Sequence, residues 1–310
     1  MAADEQGRGV WPVMLTPFQA DGAIDWAALD ELTEWYLDAG VAGLFSVAQS
    51  SEMYNLTEAE RLAVATRVVR LTAGRVPVVA AGTFGGPIEE QAGFVRRMAD
   101  TGVSGVVVLT CQLAAAEEAD DVWRANAERL LAATGEVELG LYECPQPYKR
   151  LLSPELIGWA ARTGRFRFHK DTSCMTEPIR AKIAAVRGTP FRFYNANTAT
   201  LLASMQAGGH GYSGIAANYF PELYVWLCRE FERQPERALR LQRFLGVADR
   251  LVSHKYPRSA KIFLATRGLR LGLTCRVGNP EFVEEELLAL KQLRDYAQEL
   301  AQELGATGGG

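Results

Sequence analysis

The chain has 310 residues, of which 48% are hydrophobic and 23% are charged, the balance of a globular protein that buries a substantial core. Its formal net charge of -4, without any basic block, excludes a protein built to track nucleic acid, so small molecules are the expected ligands. The five cysteines never form a C-x-x-C pair, which argues against a disulfide framework or a zinc knuckle and favours the reduced cytoplasm.

The two ends of the chain carry little information about the fold. Residues 1–9 are small and polar and contain no apolar signal core. No window reaches the roughly 18 uninterrupted apolar residues that a membrane span requires, so a cytoplasmic protein without a membrane partner is expected. Residues 305–310 are rich in glycine and predict a disordered tail.

Short apolar segments alternate with helical patterns along the first two thirds of the chain. Helix starts are marked by residues that cap the first turn, namely Asp25, Thr57 with Glu60, Pro87, and Ser153 with Pro154. A further helix is predicted over residues 117–133. The predicted strands are residues 10–18, 44–48, 76–81, 106–110, 138–142, 166–170, 191–195 and 212–216.

Eight strands, recurring at roughly 20 to 35 residues with helices between them, predict an α/β fold of the (β/α)8 TIM-barrel type. A doubly wound open sheet is the alternative, but no G-x-G-x-x-G sequence follows the first strand. Helical patterns over residues 221–233, 237–252, 259–271 and 280–304 complete the chain. We therefore predict a barrel over residues 1–233 and a C-terminal helical extension over 234–304 that packs on the barrel or builds an oligomer contact.

In a barrel of this type, functional side chains lie at the C-terminal ends of the strands and in the loops that follow. Position alone thus nominates a set of polar residues: Gln49, Ser50, Ser51, Glu52, Thr110, Cys111, Tyr142, Glu143, Lys170, Asp171, Asn195, Asn197 and Ser213. From this set, Gln49, Ser50, Ser51, Asn197 and Ser213 are the predicted substrate-binding residues.

Lys170 is the candidate nucleophile. An ammonium is costly to bury, so a lysine that points into a barrel mouth should have a depressed pKa and supply an amine able to attack a carbonyl. The carbinolamine must then lose water, and Tyr142, one strand earlier at the corresponding height, can carry the proton. Position alone leaves a rim ion pair between Lys170 and Asp171 equally open.

Several segments resemble one family of Schiff-base aldolases, that of dihydrodipicolinate synthase and N-acetylneuraminate lyase. The segments that carry the resemblance are Leu15-Thr16-Pro17-Phe18, Ala48-Gln49-Ser50-Ser51-Glu52, Tyr142-Glu143-Cys144-Pro145, Lys170, and Gly208-Gly209-His210-Gly211. They occur in the family's order and at the matching strand ends. The resemblance extends over nearly the whole chain and implies a class I aldolase, or lyase, in a (β/α)8 barrel.

The resemblance also implies roles for individual residues. Lys170 would form an imine with a 2-oxo acid, most often pyruvate, and Tyr142 would relay protons. Ser50 and Ser51 would hold the pyruvyl carboxylate through hydroxyl and backbone N–H groups, which are competent donors for that purpose. Neither a metal nor a separate cofactor is expected, and the partners implied are a 2-oxo acid, an aldehyde and other copies of the chain in a homotetramer or dimer.

The chain departs from the family's pattern around the second substrate and the proton relay. Pro147 stands where dihydrodipicolinate synthases carry an arginine for the aldehyde's carboxylate, with Arg150 slightly beyond. The family's tyrosine pair after the fourth strand is replaced from Cys111 onward, and Gln49 replaces the threonine that links the tyrosines. Glu143 replaces an asparagine and, as the neighbour of Tyr142 on a strand, should point away from the barrel interior into a structural role.

Other chemistries stay open from the sequence. An imine enzyme could hydrate or dehydrate a 2-oxo acid, the chain could be a true dihydrodipicolinate synthase, or it could be a 2-oxo acid sensor or scaffold without catalysis. The histidines His169, His210 and His254 are too scattered to suggest a metal site. Cys174 is expected to be a small buried residue.

Overall fold

The computed structural model describes residues 7–306, and eight parallel strands form the centre of the fold. The strands are β1 (Gly9–Val10), β2 (Leu44–Val47), β3 (Val78–Ala81), β4 (Gly105–Leu109), β5 (Leu139–Tyr142), β6 (Phe166–Asp171), β7 (Arg192–Asn195) and β8 (Gly211–Tyr212). Their order is β1-β8-β7-β6-β5-β4-β3-β2. A parallel bridge between Val13 and Phe45 joins the segment after β1 to β2. The predicted (β/α)8 barrel is thereby confirmed.

The first and last strands are shorter than predicted. The apolar segment 10–18 contributes Gly9–Val10 and the isolated bridge at Val13, because Pro12 and Pro17 have no N–H to donate to a neighbouring strand. The eighth strand ends at Tyr212, and Ile215–Asn218 form a 3-10 turn where a strand was predicted. Both differences shorten the sheet without changing its order.

Helices surround the sheet in the alternation that the sequence predicts. The barrel helices are α1 (Trp26–Asp38), α2 (Glu58–Thr72), α3 (Ile88–Ala99), α4 (Asp120–Ala133), α5 (Pro154–Arg162), α6 (Thr176–Val186), α7 (Leu201–Gln206) and α8 (Pro221–Glu230). The predicted caps are present: Asp25 accepts a hydrogen bond from the Ala28 N–H at 3.0 Å, and Thr57 and Glu60 cap each other's backbone. The α4 helix begins three residues later than predicted, at Asp120.

The C-terminal extension consists of α9 (Pro235–Val252), α10 (Arg258–Thr266) and α11 (Glu284–Leu304). The predicted helix 259–271 ends early, at Thr266, and the helix predicted from residue 280 begins at Glu284. The tail prediction is wrong at its first two residues: Gly305 ends α11 with a φ of 66°, and buried Ala306 donates its N–H to Ala301 at 2.8 Å. Residues 307–310 lie outside the described residues.

None of the helices between residues 7 and 306 is long and apolar enough to cross a membrane.

Aromatic side chains pack against one another in the interior of the barrel. Phe168 stacks on Tyr194 with ring centroids 4.9 Å apart and meets Trp11 at 5.2 Å and Phe45 at 5.9 Å. Phe168 lies two residues before Lys170 on β6, so the same face of that strand carries an apolar layer beneath the lysine.

Candidate active site

Lys170 and Tyr142 are neighbours at the C-terminal ends of two paired strands. The parallel register of β5 and β6 places Tyr142 opposite Lys170. The lysine Nζ lies 4.2 Å from the centroid of the Tyr142 ring and 5.8 Å from that of Phe45. The two groups that imine chemistry needs are therefore within reach of one substrate.

The environment of Lys170 favours the neutral amine. Only 3% of the residue is exposed, and burial lowers its pKa from the ordinary 10.5 to about 7, although the nearby Cys144 thiol acts slightly in the opposite direction. The Asp171 carboxylate faces the other side of β6, where it accepts a hydrogen bond from Lys182 at 2.7 Å. Within the described residues, the rim ion pair between Lys170 and Asp171 is not formed.

Tyr142 is held as a neutral phenol. Burial, and then the neighbouring Cys144 thiol, raise its pKa well above the ordinary value. Its hydroxyl donates a 3.3 Å hydrogen bond to Oε1 of Gln49. Gln49 thus orients the phenol, which at neutral pH can donate a proton.

The two adjacent serines in the loop after β2 have different surroundings. Gln49–Ser51 form a 3-10 turn in which the Ser51 hydroxyl donates to the Ala48 carbonyl at 2.6 Å and accepts from the Ala48 N–H at 2.8 Å. The Ser51 N–H is also bonded to Ala48, at 3.1 Å. Ser50 lines the same cavity as Lys170, which is described below, whereas the hydroxyl and N–H of Ser51 are used to close the turn.

A cavity of about 470 Å³ opens above Lys170. Gln49, Ser50 and Tyr142 line it together with Lys170. The C-terminal extension supplies further lining residues, which are Ser253, Tyr256, Pro257 and Val277. Sequence reasoning missed these, because a contribution from a helical segment some eighty residues away leaves no local pattern at the strand ends.

An internal ion pair fastens the β2 loop to the extension. Lys261 Nζ lies 3.0 Å from Oε1 of Glu52, and both side chains are buried. The Val277 N–H donates to the other carboxylate oxygen at 2.8 Å. The Lys261 charge in α10 therefore serves structure, and it holds the lining from the extension against the loop that carries Ser50.

Two predicted substrate-binding residues lie away from the described lining of this cavity. Asn197 accepts a hydrogen bond from the Thr200 N–H at 3.2 Å and caps the turn before α7. The buried Ser213 hydroxyl donates to the Trp11 carbonyl at 3.0 Å. Their predicted role in binding is not supported by a contact with the cavity.

Glu143 points out of the barrel, as predicted, into a buried polar cluster between the sheet and α6. Lys182 Nζ donates to Glu143 at 2.5 Å and to Asp171 at 2.7 Å. His169 lies 3.8 Å from Glu143 and 3.9 Å from Asp171. Glu143, His169 and Asp171 have the residue types of a metal site, but the Lys182 ammonium already supplies the positive charge between the carboxylates.

One prediction near the site is wrong. Cys174 is exposed, not buried, and has a φ of 59°. The loop after β6 turns there in a left-handed conformation that directs the thiol to solvent, and the thiol bonds the Thr172 carbonyl at 3.2 Å.

Fold and cavity together define the class of protein: a (β/α)8-barrel enzyme with a buried lysine and a buried tyrosine at the C-terminal ends of adjacent strands. The sequence model of the dihydrodipicolinate synthetase family matches residues 6–295. The chain belongs to that family and is an enzyme of its lyase type.

Known relatives agree with this assignment. The chain is 24% identical over 288 residues to the 4-hydroxy-tetrahydrodipicolinate synthase of Gluconacetobacter diazotrophicus, covering 92% of this chain and 95% of the relative. A structure described as a monomeric dihydrodipicolinate synthase variant superposes with a TM-score of 0.86 at 20% identity, covering 96% and 98% of the two chains. A prophage protein of the dihydrodipicolinic acid synthase family from E. coli K12, solved with pyruvate, gives 0.83 at 22% identity, with 94% and 98% covered. At these identities the structural likeness concerns the fold alone.

Proposed function

We propose that Lys170 forms an imine with pyruvate or a related 2-oxo acid and that the enzyme makes or breaks a C–C bond between this acid and an aldehyde. The observation that carries the proposal is the position of Lys170, whose amine has a pKa of about 7 and lies beside the Tyr142 ring at the base of the cavity. An amine with that pKa is largely available as a nucleophile at neutral pH.

Imine formation uses both residues. The Lys170 nitrogen attacks the ketone carbon, and the carbonyl oxygen takes a proton from the Tyr142 hydroxyl to give a carbinolamine. The nitrogen's surplus proton returns to Tyr142 and from there to the carbinolamine hydroxyl, which leaves as water. The product is an iminium whose positive nitrogen withdraws electrons from the neighbouring carbon.

The C–C bond forms from the iminium. The Tyr142 oxygen, which gave its proton to the departing water, takes a proton from the adjacent carbon to give an enamine, whose carbon attacks the carbonyl carbon of the aldehyde. The aldehyde oxygen receives the electron pair and the proton now carried by Tyr142, which leaves a hydroxyl on the product and restores the iminium on Lys170. Water then adds to the iminium and releases the 4-hydroxy-2-oxo acid and the free Lys170 amine, and cleavage follows the same steps in reverse.

Ser50 is proposed to hold the carboxylate of the 2-oxo acid. It lines the cavity next to Lys170, and hydroxyl and N–H donors suit a carboxylate. Gln49 would act on the substrate through Tyr142, by fixing the phenol with its amide oxygen. No metal or separate cofactor takes part in these steps.

The decisive experiment is reductive trapping. Borohydride added with saturating pyruvate should attach a stable mass to the peptide that contains Lys170, and Lys170→Met should abolish it. Buried Lys182 and Lys261 are internal controls, because each is held in an ion pair with a buried carboxylate and should stay unmodified. An unmodified Lys170 would contradict the proposal.

Product analysis separates the proposed lyase from its alternatives. Cleavage of a 4-hydroxy-2-oxo acid releases an aldehyde with pyruvate, whereas a dehydratase releases water alone. A sensor would bind pyruvate without turnover of any aldehyde. The five cysteines are all free thiols, which supports the proposed location in the reduced cytoplasm. Assembly into a homo-oligomer is proposed from the family resemblance.

A further inference from the structure

Most of the residues that line the cavity are uncharged. Tyr54, Asn55, Gln146, Ser253 and Tyr256 supply polar groups, and Met53, Ile215, Pro257 and Val277 supply apolar ones. Of the described residues that line the cavity, Lys170 is the only lysine or arginine and Glu52 the only acid. Glu52 is paired with Lys261 at 3.0 Å, and Lys170 is taken up in the proposed imine, so these described lining residues leave no further cation for the second substrate.

The arginine nearest in sequence to Gln146 is used elsewhere. The Arg150 guanidinium donates to the carbonyls of Ala115 and Glu118 at 2.9 and 3.0 Å and lies 3.1 Å from an Asp120 carboxylate oxygen. Only 8% of the residue is exposed. Arg150 therefore fastens the loop after β5 to the start of α4 and does not line the cavity.

Three cations that adjoin other lining residues are also engaged. Arg258 donates to the carbonyls of Asn279 and Pro280 at 2.6 and 3.0 Å. Arg276 donates to both oxygens of Glu60 and to the Asn55 carbonyl. Lys255 bonds the Glu286 carboxylate and the Glu281 carbonyl. Each would have to break bonds that it already makes in order to receive a substrate carboxylate.

We infer that the second substrate, the aldehyde, is uncharged and carries hydroxyl groups, and that an aldehyde with a carboxylate is disfavoured. This inference rests on the proposed function of Lys170. Amide and phenol groups both donate and accept hydrogen bonds, so they match hydroxyls, which do the same. A carboxylate entering this cavity would lose hydration without gaining a charge-assisted bond to a guanidinium or ammonium.

Two pairs of aldehydes test the inference, because the members of each pair differ only in CH₂OH against carboxylate. They are glycolaldehyde with glyoxylate, and glyceraldehyde with tartronate semialdehyde. Condensation with pyruvate is followed by the mass and amount of the 4-hydroxy-2-oxo acid formed. In both pairs kcat/KM should favour the neutral aldehyde by about tenfold or more.

The aldehydes also differ in intrinsic reactivity. Variants of the loop that carries Gln146 control for this difference, because they change the cavity and leave the aldehydes the same. Gln146→Arg introduces a guanidinium among the lining residues and should shift the ratio toward the carboxylated aldehyde by about tenfold. Gln146→Met, of similar length but neutral, should leave the ratio near that of the parent enzyme. Lys149→Met, on the exposed part of the same loop, should also leave it unchanged.

The outcomes distinguish the inference from the function on which it rests. If pyruvate is trapped on Lys170 but the carboxylated aldehyde is preferred, or neither aldehyde condenses, the inference is overturned while imine formation stands. Loss of carboxylated-aldehyde turnover in Lys149→Met would also overturn it, by identifying a cation that binds that group. Failure to trap pyruvate would refute the proposed function itself.

Discussion

Lys182 donates a 2.5 Å hydrogen bond to Glu143 in the buried layer between the sheet and α6. The same ammonium bonds Asp171 at 2.7 Å. Glu143 directly follows Tyr142, and Asp171 directly follows Lys170. One buried lysine outside the barrel thus ties together the two strand ends that present the proposed acid and nucleophile inside it.

Removing this ammonium should destabilise the protein strongly. Lys182→Met leaves two buried carboxylates facing each other, and the expected loss in free energy of unfolding is about 3–5 kcal/mol. Urea denaturation measures it. Exposed Lys291 provides the matched control, since Lys291→Met should change stability by less than about 0.5 kcal/mol.

A compensated variant separates charge from packing in this cluster. Combining Lys182→Met with Glu143→Gln and Asp171→Asn removes all three charges, so much of the lost stability should return. If the triple variant were as unstable as Lys182→Met alone, unpaired charge would not be the cause of the loss.

Imine formation should depend on pH through Lys170. Because burial lowers the pKa of this amine to about 7, the rate of pyruvate trapping should rise with pH up to about 7 and then level off. Below that value the rate should fall by about tenfold per pH unit, as the ammonium replaces the amine. Stopped-flow or quenched trapping between pH 5 and 9 gives the profile, and a rate that still rises about tenfold per pH unit at pH 9, as for an ordinary lysine with a pKa of 10.5, would contradict it.

Burial of Lys170 should also lower the free energy of unfolding. The folded protein has a lower lysine pKa than the unfolded chain, so between about 7 and 10.5 the unfolded chain binds more protons, and stability contributed by this group rises with pH across that window. At neutral pH Lys170→Met should therefore stabilise the fold by up to about 4 kcal/mol while abolishing trapping. A thermal melt at pH 7 that shows a lower Tm for Lys170→Met would refute this expectation.

Tyr142→Phe should act on rate more than on stability. Without the phenolic proton, condensation and trapping should slow by about 10²–10⁴-fold, the range for loss of a positioned acid. Gln49→Ala removes only the acceptor that orients the hydroxyl, so its effect should be smaller. Equal loss in both variants would show that the phenol cannot transfer its proton unless Gln49 orients it.

Sequence reasoning reached the barrel and the pairing of Lys170 with Tyr142 because parallel strands bring their C-terminal ends to one edge, whatever the intervening helices contain. It could predict that Glu143 faces outward from strand alternation alone. It could not identify Lys182 as its partner, since a lysine within a helix ordinarily indicates a solvent-facing position. Tyr256 was not predicted as a lining residue for a related reason, because its contact with the site depends on how the extension folds back over the barrel.

The structure distinguishes the two serines after β2, to which the family resemblance assigns the same role. The resemblance implies that both Ser50 and Ser51 bind the carboxylate, but the Ser51 hydroxyl bonds both the N–H and the carbonyl of Ala48. Ser51→Ala would leave the buried Ala48 N–H without that acceptor, so it should cost about 1–3 kcal/mol of stability. Ser50→Ala should instead raise KM for pyruvate by about tenfold, through loss of one hydrogen bond to a charged group, with kcat changed less. Parallel denaturation and pyruvate titrations of the two variants measure both effects, and a reversed pattern would show that Ser51, not Ser50, holds the substrate.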